Sequence, residues 1–181
     1  GERVVFGSRP DSAPGQSDRR PDIFVMNEDG SEVRRLFQSS LYATHPRWSP
    51  DGRRIVFENY DLAVSEFRLY VMDADGSNVR QIPSAAGPNF GPEWSPDGTR
   101  ILFLSSRPPR GLWTMYIVNA DGTGERQLSD DSACLSHISL PKWSPDGSRI
   151  GYLCDSDAGA IYTVRADGTD KRLLIPPPAG K

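Results

Sequence analysis

Apolar and polar residues alternate along most of this chain in short runs bounded by glycine, proline, aspartate or asparagine. In two of these runs Ile55 and Phe57 lie two residues apart, as do Ile101 and Phe103. A period of two residues is typical of a strand with one buried face and differs from the period of a helix. The pattern therefore predicts an all-β chain.

Each of these strands follows the same motif of tryptophan, serine, proline, aspartate and glycine. The chain reads RWSPDGRRIVF from Arg47, EWSPDGTRILF from Glu93 and KWSPDGSRIGY from Lys142. Proline presets φ at the second position of a type I turn, serine can cap the first position, and glycine takes the left-handed fourth. Each copy therefore predicts one β-hairpin.

A second element of strand, turn and strand recurs later in every copy. It reads VMNEDGSEVRRL, VMDADGSNVRQI, IVNADGTGERQL and TVRADGTDKRLL, and its Asp-Gly aspartates, at positions 29, 75, 121 and 167, recur every 46 residues. A fixed period in this range indicates an array of one supersecondary unit. The first turn position is Asn or Asp in three copies but Arg165 in the fourth, so we expect the fourth turn to be the loosest.

Each period holds four short strands in an up-and-down meander, at 45–49, 53–59, 67–73 and 78–82 in the second copy. Four strands in a repeat of this length are what a β-propeller blade requires, and one blade cannot bury both of its faces alone. We therefore expect a single propeller domain over 1–181, with four blades at about 1–37, 45–82, 91–128 and 139–175. Because Gly1 aligns with Gly52, the first blade is expected to lack its inner strand.

The repeat resembles that of a known family. Pro-x-Trp-Ser-Pro-Asp-Gly, an apolar strand, a Tyr-x-Val/Met strand and Asp-Gly resemble the repeat of the TolB-type, WD-repeat-like β-propellers. The resemblance covers nearly the whole chain, and it implies the fold firmly but the function only loosely. The resemblance implies that the protein is a scaffold that docks a protein or peptide partner.

The two ends of the array lead to a separate expectation. The chain begins inside a Trp-Ser-Pro-Asp-Gly motif, and after the prolines that follow Ile175 no strand returns to complete the first blade. A closed propeller joins its ends within one blade, whereas an open array leaves apolar faces and strand edges exposed. We therefore expect the sequence to be part of a longer propeller, or copies of the chain to associate through these incomplete ends.

Composition argues against several classes of function. Charged residues make up 25% of the chain and the formal net charge is −3, so the clustered basic residues that bind nucleic acid are not expected. The apolar runs are of strand length, which predicts no membrane span. The motifs of nucleophilic, zinc and phosphate chemistry do not occur in the sequence, so we expect a protein that is not an enzyme and needs no cofactor.

Two alternative functions stay open. The repeat also resembles that of gating or substrate-selecting propellers joined to the catalytic domain of a larger peptidase, which sequence flanking this chain would test. A carbohydrate or cell-wall binding propeller would instead use exposed aromatic side chains as its platform.

The loops at one end of the predicted meander vary in length and sequence, whereas the turns at the other end are uniform. A rigid scaffold with variable loops is a common arrangement for a binding site. Aromatic, arginine and histidine side chains in these loops are the candidate contacts: Tyr42, Tyr60, Phe90, Arg107, Arg110 and His137. The alternative for Tyr42 and Phe90 is that they anchor the loops by packing back between blades.

Two repeated sets of side chains are assigned to structure. We expect the tryptophans to pack between blades and the motif aspartates to stabilise turns: Trp48, Trp94, Trp143, Asp51, Asp97 and Asp146. The carboxylates of all the turns share one end of the array, but they lack the acidic spacing and the distal glutamate of a calcium loop. No metal site is predicted.

The two cysteines, Cys134 and Cys154, predict a disulfide. Pairing the strands across the turn at 144–147 places Trp143 opposite Ser148 and His137 opposite Cys154. If the loop before His137 curls back, the two Cβ atoms come within the roughly 4 Å that a disulfide requires. The alternative is two separate buried thiols, whereas a disulfide suits a periplasmic or secreted protein.

Overall fold

A computed structural model describes residues 3–8, 21–83, 87–107, 111–128, 138–154 and 159–176. Within these ranges the backbone forms fifteen strands in four antiparallel sheets. Sheet 1 contains β1 (Arg3–Ser8), β2 (Asp22–Asn27) and β3 (Arg34–Phe37), and sheet 2 contains β4 (Ala43–Trp48), β5 (Arg54–Asp61), β6 (Glu66–Asp73) and β7 (Arg80–Gln81). Sheet 3 contains β8 (Asn89–Trp94), β9 (Arg100–Ser106), β10 (Trp113–Asn119) and β11 (Arg126–Gln127), and sheet 4 contains β12 (Ile138–Trp143), β13 (Arg149–Cys154), β14 (Ala160–Arg165) and β15 (Arg172–Ile175).

In every sheet the strands lie side by side in sequence order, so each sheet is an up-and-down meander. The predicted all-β fold of four repeats, the first of them with three strands, is therefore confirmed. The chain divides into two compact units, Gly1–Ile82 with sheets 1 and 2 and Pro83–Lys181 with sheets 3 and 4. The described ranges contain no helix long and apolar enough to cross a membrane.

The serine side chain, together with the backbone, closes each Ser-Pro-Asp-Gly turn. In sheet 3 the Gly98 amide donates to the Ser95 carbonyl at 2.8 Å, and Gly98 has a φ of 69°, as predicted. Ser95 Oγ donates to Asp97 Oδ1 at 2.5 Å and accepts from the Arg100 amide at 2.9 Å. The serines of sheets 2 and 4 make the same contacts. In each turn one serine hydroxyl thus fixes both the turn and the first residue of the next strand.

This geometry corrects the register expected in sheet 4. Trp143 pairs with Ile150 and not with Ser148, because Ser144 closes the turn on Arg149 and leaves four residues between these two. A bulge beside Pro141 then moves the pairing by one residue, so that Ile138 lies opposite Cys154. Proline has no amide to donate to the ladder, which accounts for the bulge at this position.

The Asp-Gly turn of the fourth repeat is as tight as the others, so the expectation of a loose turn at Arg165 is wrong. The Arg165 amide donates to the Thr169 carbonyl at 2.9 Å, the distance found between Asn27 and Ser31 in the first repeat. Asp167 Oδ1 accepts from the Thr169 amide at 2.8 Å. Backbone hydrogen bonds and the aspartate hold the turn, whatever side chain precedes them.

Each unit has an apolar core between its two sheets. In the first unit Ile23 of sheet 1 packs with buried residues of sheet 2, and Trp48 lies against this cluster. In the second unit Leu102 and Ile117 of sheet 3 pack against the side of sheet 4 that bears Ile150, with Trp143 at the edge. Both tryptophans thus lie where consecutive sheets meet.

Candidate functional site

A four-residue tip, residues 62–65, joins β5 and β6 at the end of sheet 2 opposite the Ser49 turn. The two strands pair from Arg54 with Asp73 out to Asp61 with Glu66. All four tip residues are exposed. Asp61 Oδ1 accepts a hydrogen bond from the Ala63 amide at 2.9 Å at the start of the tip. The hairpin therefore presents these side chains at the end of the sheet where the sequence predicts variable loops.

Three aromatic rings support this hairpin. The rings of Tyr60 and Phe67 meet edge to face with centroids 5.2 Å apart, and the ring of Tyr42 meets that of Tyr60 at 6.3 Å. The Tyr60 amide also donates to the Tyr42 carbonyl at 2.9 Å. Edge-to-face pairs of this kind stabilise a fold by about 0.5–1.5 kcal/mol beyond area burial. Two predicted contact residues, Tyr42 and Tyr60, are thus brought together.

Three exposed apolar side chains lie at this end of sheet 2 and are here together called the tip patch: Leu62 and Val64 on the hairpin tip, and Tyr42, which packs on Tyr60. Their exposed fractions are 60%, 48% and 42% in that order. Sequence reasoning placed Leu62 and Val64 in a variable loop but did not name them as contacts. The available signal was two aliphatic residues between Asp61 and Ser65, where a hairpin tip usually carries polar or glycine residues.

The predicted contacts in the second unit are tied to their own sheet. The ring of Phe90 packs edge to face on Trp113 with centroids 5.1 Å apart. Arg107 forms a two-pronged ion pair with Glu125, at 2.6 and 3.2 Å, and its guanidinium lies 3.8 Å from the centre of the Tyr116 ring. The Arg107 side chain is only 12% exposed. Both residues stabilise sheet 3, and their role in binding stays a prediction.

Arg110, His137 and Cys134 lie outside the described residues. Cys154 is 1% exposed and is disulfide-bonded. The chain contains only one other cysteine, Cys134, so the predicted pairing stays a prediction that this bonding supports.

A buried carboxylate, that of Glu58 in β5, contacts side chains of the neighbouring strand β4. Glu58 is 0% exposed, and its Oε2 accepts from Thr44 Oγ1 at 3.1 Å and lies 3.0 Å from His45 Nδ1. The hydrogen bond to Glu58 raises the pKa of His45, and the charged pair stabilises the protonated ring. His45 has a φ of 48°, at the bulge where sheet 3 has Gly91. The pair offsets the strain of that conformation, and full burial keeps Glu58 from contacting a ligand.

Each Ser-Pro-Asp-Gly turn carries an aspartate, and the hydrogen bonds of the turn occupy its carboxylate. Asp51 and Asp146 accept hydrogen bonds from turn hydroxyls at 2.5 and 2.6 Å, as Asp97 does. The Ser144 hydroxyl lowers the pKa of Asp146 to about 2. Among the described residues, no group of three or more histidine, cysteine or acidic side chains is arranged to hold a metal ion. In the described part of the chain these carboxylates therefore stabilise the turns and form no ligand-like cluster.

We expect the Asp97 carboxyl to titrate at about pH 2, because the Ser95 hydroxyl and the Thr99 amide stabilise its charged form. Since this pKa is lower than the unfolded value near 3.9, the stability from Asp97 is complete above pH 4 and is lost as the pH falls toward 2. Ser95→Ala should move the midpoint toward 3.8, whereas Ser144→Ala should leave it unchanged. Carboxyl carbon NMR measures both, and a midpoint near 3.8 in the unaltered chain would refute the assignment.

Comparison with known proteins places the repeat in a family. The family model for the TolB beta propeller domain matches residues 3–175. Over 59 residues the chain is 36% identical to the Tol-Pal system protein TolB of Roseobacter denitrificans, a match that spans 33% of this chain and 13% of that protein.

Solved structures show the same fold at lower identity. A protein described as TolB from Agrobacterium tumefaciens superposes with a TM-score of 0.78 at 23% identity, over 96% of this chain and 61% of its own length. An oligogalacturonate lyase in complex with manganese superposes with a TM-score of 0.67 at 20% identity, over 86% of this chain and 43% of its own. The chain thus spans less than two thirds of either. The motif, the four meander sheets and the match over residues 3–175 show that the chain belongs to the TolB β-propeller family.

Proposed function

We propose that this propeller domain is a non-enzymatic binding module and that the loop end of sheet 2 docks a protein or peptide partner. The observation that carries the proposal is the tip patch, where Leu62 and Val64 on the hairpin and Tyr42 in the segment before β4 are 42–60% exposed. Exposed apolar surface on a rigid support is typical of protein interaction sites. The Roseobacter relative is named a Tol-Pal system protein, which favours a protein partner.

The hairpin is preorganised for docking. Arg68, 7% exposed, forms an ion pair with Glu66 at 2.8 Å at the base of the tip, and Tyr60 is held between two rings. Little conformational entropy is lost when such a surface binds, so more of the contact energy appears as affinity.

A binding comparison between variants tests the proposal. The immobilised chain should retain a protein from an extract of its native source. Leu62→Asp and Val64→Asp should each lower the affinity for that protein by about tenfold or more. Val79→Asp is the matched control, because Val79 is 39% exposed but lies beside the Asp75 turn at the other end of the sheet. Equal retention of that protein by all three variants would contradict a role for the tip patch.

A carbohydrate ligand is the second candidate. The partly exposed ring of Tyr42 favours it, since sugars stack on aromatic side chains. The fold shared with an oligogalacturonate lyase favours it as well. Binding to a glycan array that Tyr42→Ala abolishes, together with no retained protein, would replace the protein partner with a sugar. No described residue favours the third alternative, a peptidase propeller, over these two.

We place the protein in the periplasm or outside the cell. The disulfide at Cys154 supports this proposal, because disulfides persist in oxidising compartments. If Cys154 pairs with Cys134, thiol labelling of the denatured, unreduced chain should find neither cysteine free. Labelling of both would contradict the pairing.

A second copy of the chain is a further protein partner, through surfaces other than the tip patch.

A further inference from the structure

The bulge of β4 holds a histidine in a backbone conformation that favours glycine. His45 has a φ of 48°, and the corresponding bulge of β8 has Gly91 with a φ of 62°. A positive φ is unfavourable for a residue with a Cβ, whereas glycine adopts it without that cost. A histidine at this bulge is therefore kept in place by its side-chain interactions rather than by its backbone preference.

The partner of this histidine is also unusual for its position. Glu58 is 0% exposed, and its Oε2 lies 3.0 Å from His45 Nδ1 and accepts a hydrogen bond from Thr44 Oγ1 at 3.1 Å. The equivalent positions in sheets 3 and 4 are Leu104 and Leu153. An apolar residue thus serves the same strand elsewhere, so the fold itself does not require a buried carboxylate here.

The charge of the histidine depends mainly on this carboxylate. The hydrogen bond to Glu58 raises the pKa of His45, and the positive charge of Arg47, also on β4, acts in the opposite direction. On β6 the residue opposite Glu58 is the apolar Leu69. Other charged residues on the strands packed against β4 and β5 have contacts of their own: Arg3 over the ring of Trp48, Asp22 with Arg35, Asp61 with the Ala63 amide, Glu66 with Arg68, and Asp73 with Asn78.

The stabilisation that the pair provides changes with pH. Because the pKa of His45 is higher in the folded chain than the usual 6.5, this stabilisation is complete below pH 6.5 and is lost as the pH rises through the folded value. Above that value the neutral ring can still donate a hydrogen bond, but it no longer compensates the charge of the buried carboxylate. The strained backbone at His45 then has a weaker partner.

β4 connects this pair to the tip patch. The two residues between Tyr42 and His45 both pair with β5, the second of them with Glu58. Tyr42 itself accepts a hydrogen bond from the Tyr60 amide at 2.9 Å, and the rings of the two tyrosines meet edge to face. A change at His45 therefore acts on the short segment that holds Tyr42 against Tyr60.

We infer that His45 and Glu58 form a pH switch for the tip patch, in which the protonated ring holds the start of β4 on β5 and its deprotonation releases Tyr42 from Tyr60. The inference rests on the proposed docking at the tip patch and adds its regulation. Docking should be strong while His45 is charged and should weaken as the pH rises, because the partner then meets a less ordered surface.

NMR of the 181-residue chain tests the switch without any partner. Carbon NMR gives the titration midpoint of His45, and the nuclear Overhauser contact between the rings of Tyr42 and Tyr60 reports their packing. Between about pH 5.5 and pH 8.5 this contact should weaken by about twofold or more, with the same midpoint. A ring contact that is equal on both sides of the midpoint would overturn the inference.

Variants assign the effect to the pair. Glu58→Gln removes the buried charge and keeps the shape, so the ring contact should persist at both pH values and His45 should titrate near 6.5. His45→Asn keeps a residue that tolerates the positive φ and should also abolish the pH dependence. His137→Gln changes the other histidine of the chain and should leave the pH dependence of the ring contact in place. Circular dichroism confirms that each variant is folded, and a pH dependence that survives in Glu58→Gln and His45→Asn would refute the assignment.

The affinity for the retained protein tests the regulation separately. It should fall by about tenfold from pH 5.5 to pH 8.5 for the unaltered chain and stay nearly constant for Glu58→Gln, which also controls for titration of the partner. Equal affinity at both pH values, with a ring contact that changes, would overturn the inference. If no protein is retained at either pH, the docking proposal fails, and the ring contact still decides whether the switch exists.

Discussion

Gly76→Ala is expected to lower the free energy of unfolding by about 2–5 kcal/mol. Gly76 has a φ of 93°, a conformation that costs an L-residue about 1–2 kcal/mol. The added Cβ would also stand 2.6 Å from the Leu36 carbonyl oxygen, and backbone on both sides must move to relieve that contact. The substitution therefore strains the turn and separates two sheets at once.

Gly30→Ala is the matched control for this prediction. Gly30 occupies the same turn position in sheet 1 with a φ of 82°, but has open space where its Cβ would stand among the described residues. It should lose only the conformational part, about 1–2 kcal/mol. Urea unfolding measures both losses. It is followed by the fluorine NMR signal of fluorinated Trp48, at the lowest usable protein concentration. Equal losses would show that the approach of Gly76 to Leu36 costs nothing.

The repeat made the fold predictable because each element carries its own local signal. Pro50 and Gly52 specify a turn by backbone conformation alone, and alternation after Arg54 specifies a strand. Identical signals at a fixed spacing then define the array. Such information is local in sequence, so one chain without its relatives is enough to read it.

The register and the site were less predictable because they depend on side-chain hydrogen bonds and on neighbouring sheets. The closing of Ser144 on Arg149, which shifts Trp143 to Ile150, is a choice between two turn closures that the motif letters do not distinguish. Arg107 looked like an exposed contact because the sequence does not show that Glu125 pairs with it.

The exposures of Val4 and Ile150 illustrate the same limit. Val4 and Ile150 occupy equivalent positions and have similar side chains, yet one is 38% exposed and the other 0%. Sequence identifies the position in the repeat, whereas exposure depends on which sheet lies next to it. Structure was therefore needed to identify the tip patch as a candidate for binding.

Phe103→Ala is the second substitution with a large expected effect, about 3–5 kcal/mol of unfolding free energy. Phe103 is 0% exposed, and its ring stacks on that of Tyr116 with centroids 5.7 Å apart. The Arg107 guanidinium lies over both rings, 5.9 Å from one and 3.8 Å from the other. Removing the ring therefore leaves a cavity, breaks an aromatic pair and loosens the support of an ion-paired arginine.

The equivalent ring in sheet 1 provides the comparison that gives this prediction its meaning. Phe6 stacks on Phe24 at 5.8 Å but is only partly buried, so Phe6→Ala should cost about half as much, since less apolar area returns to water and no closed cavity forms. Phe103→Leu, which refills most of the volume, should recover a large part of the loss. Urea unfolding measures all three variants. If Phe6→Ala and Phe103→Ala cost the same, burial of the ring does not set the stabilisation that the aromatic pair provides, and the stacking within each sheet would have to account for it alone.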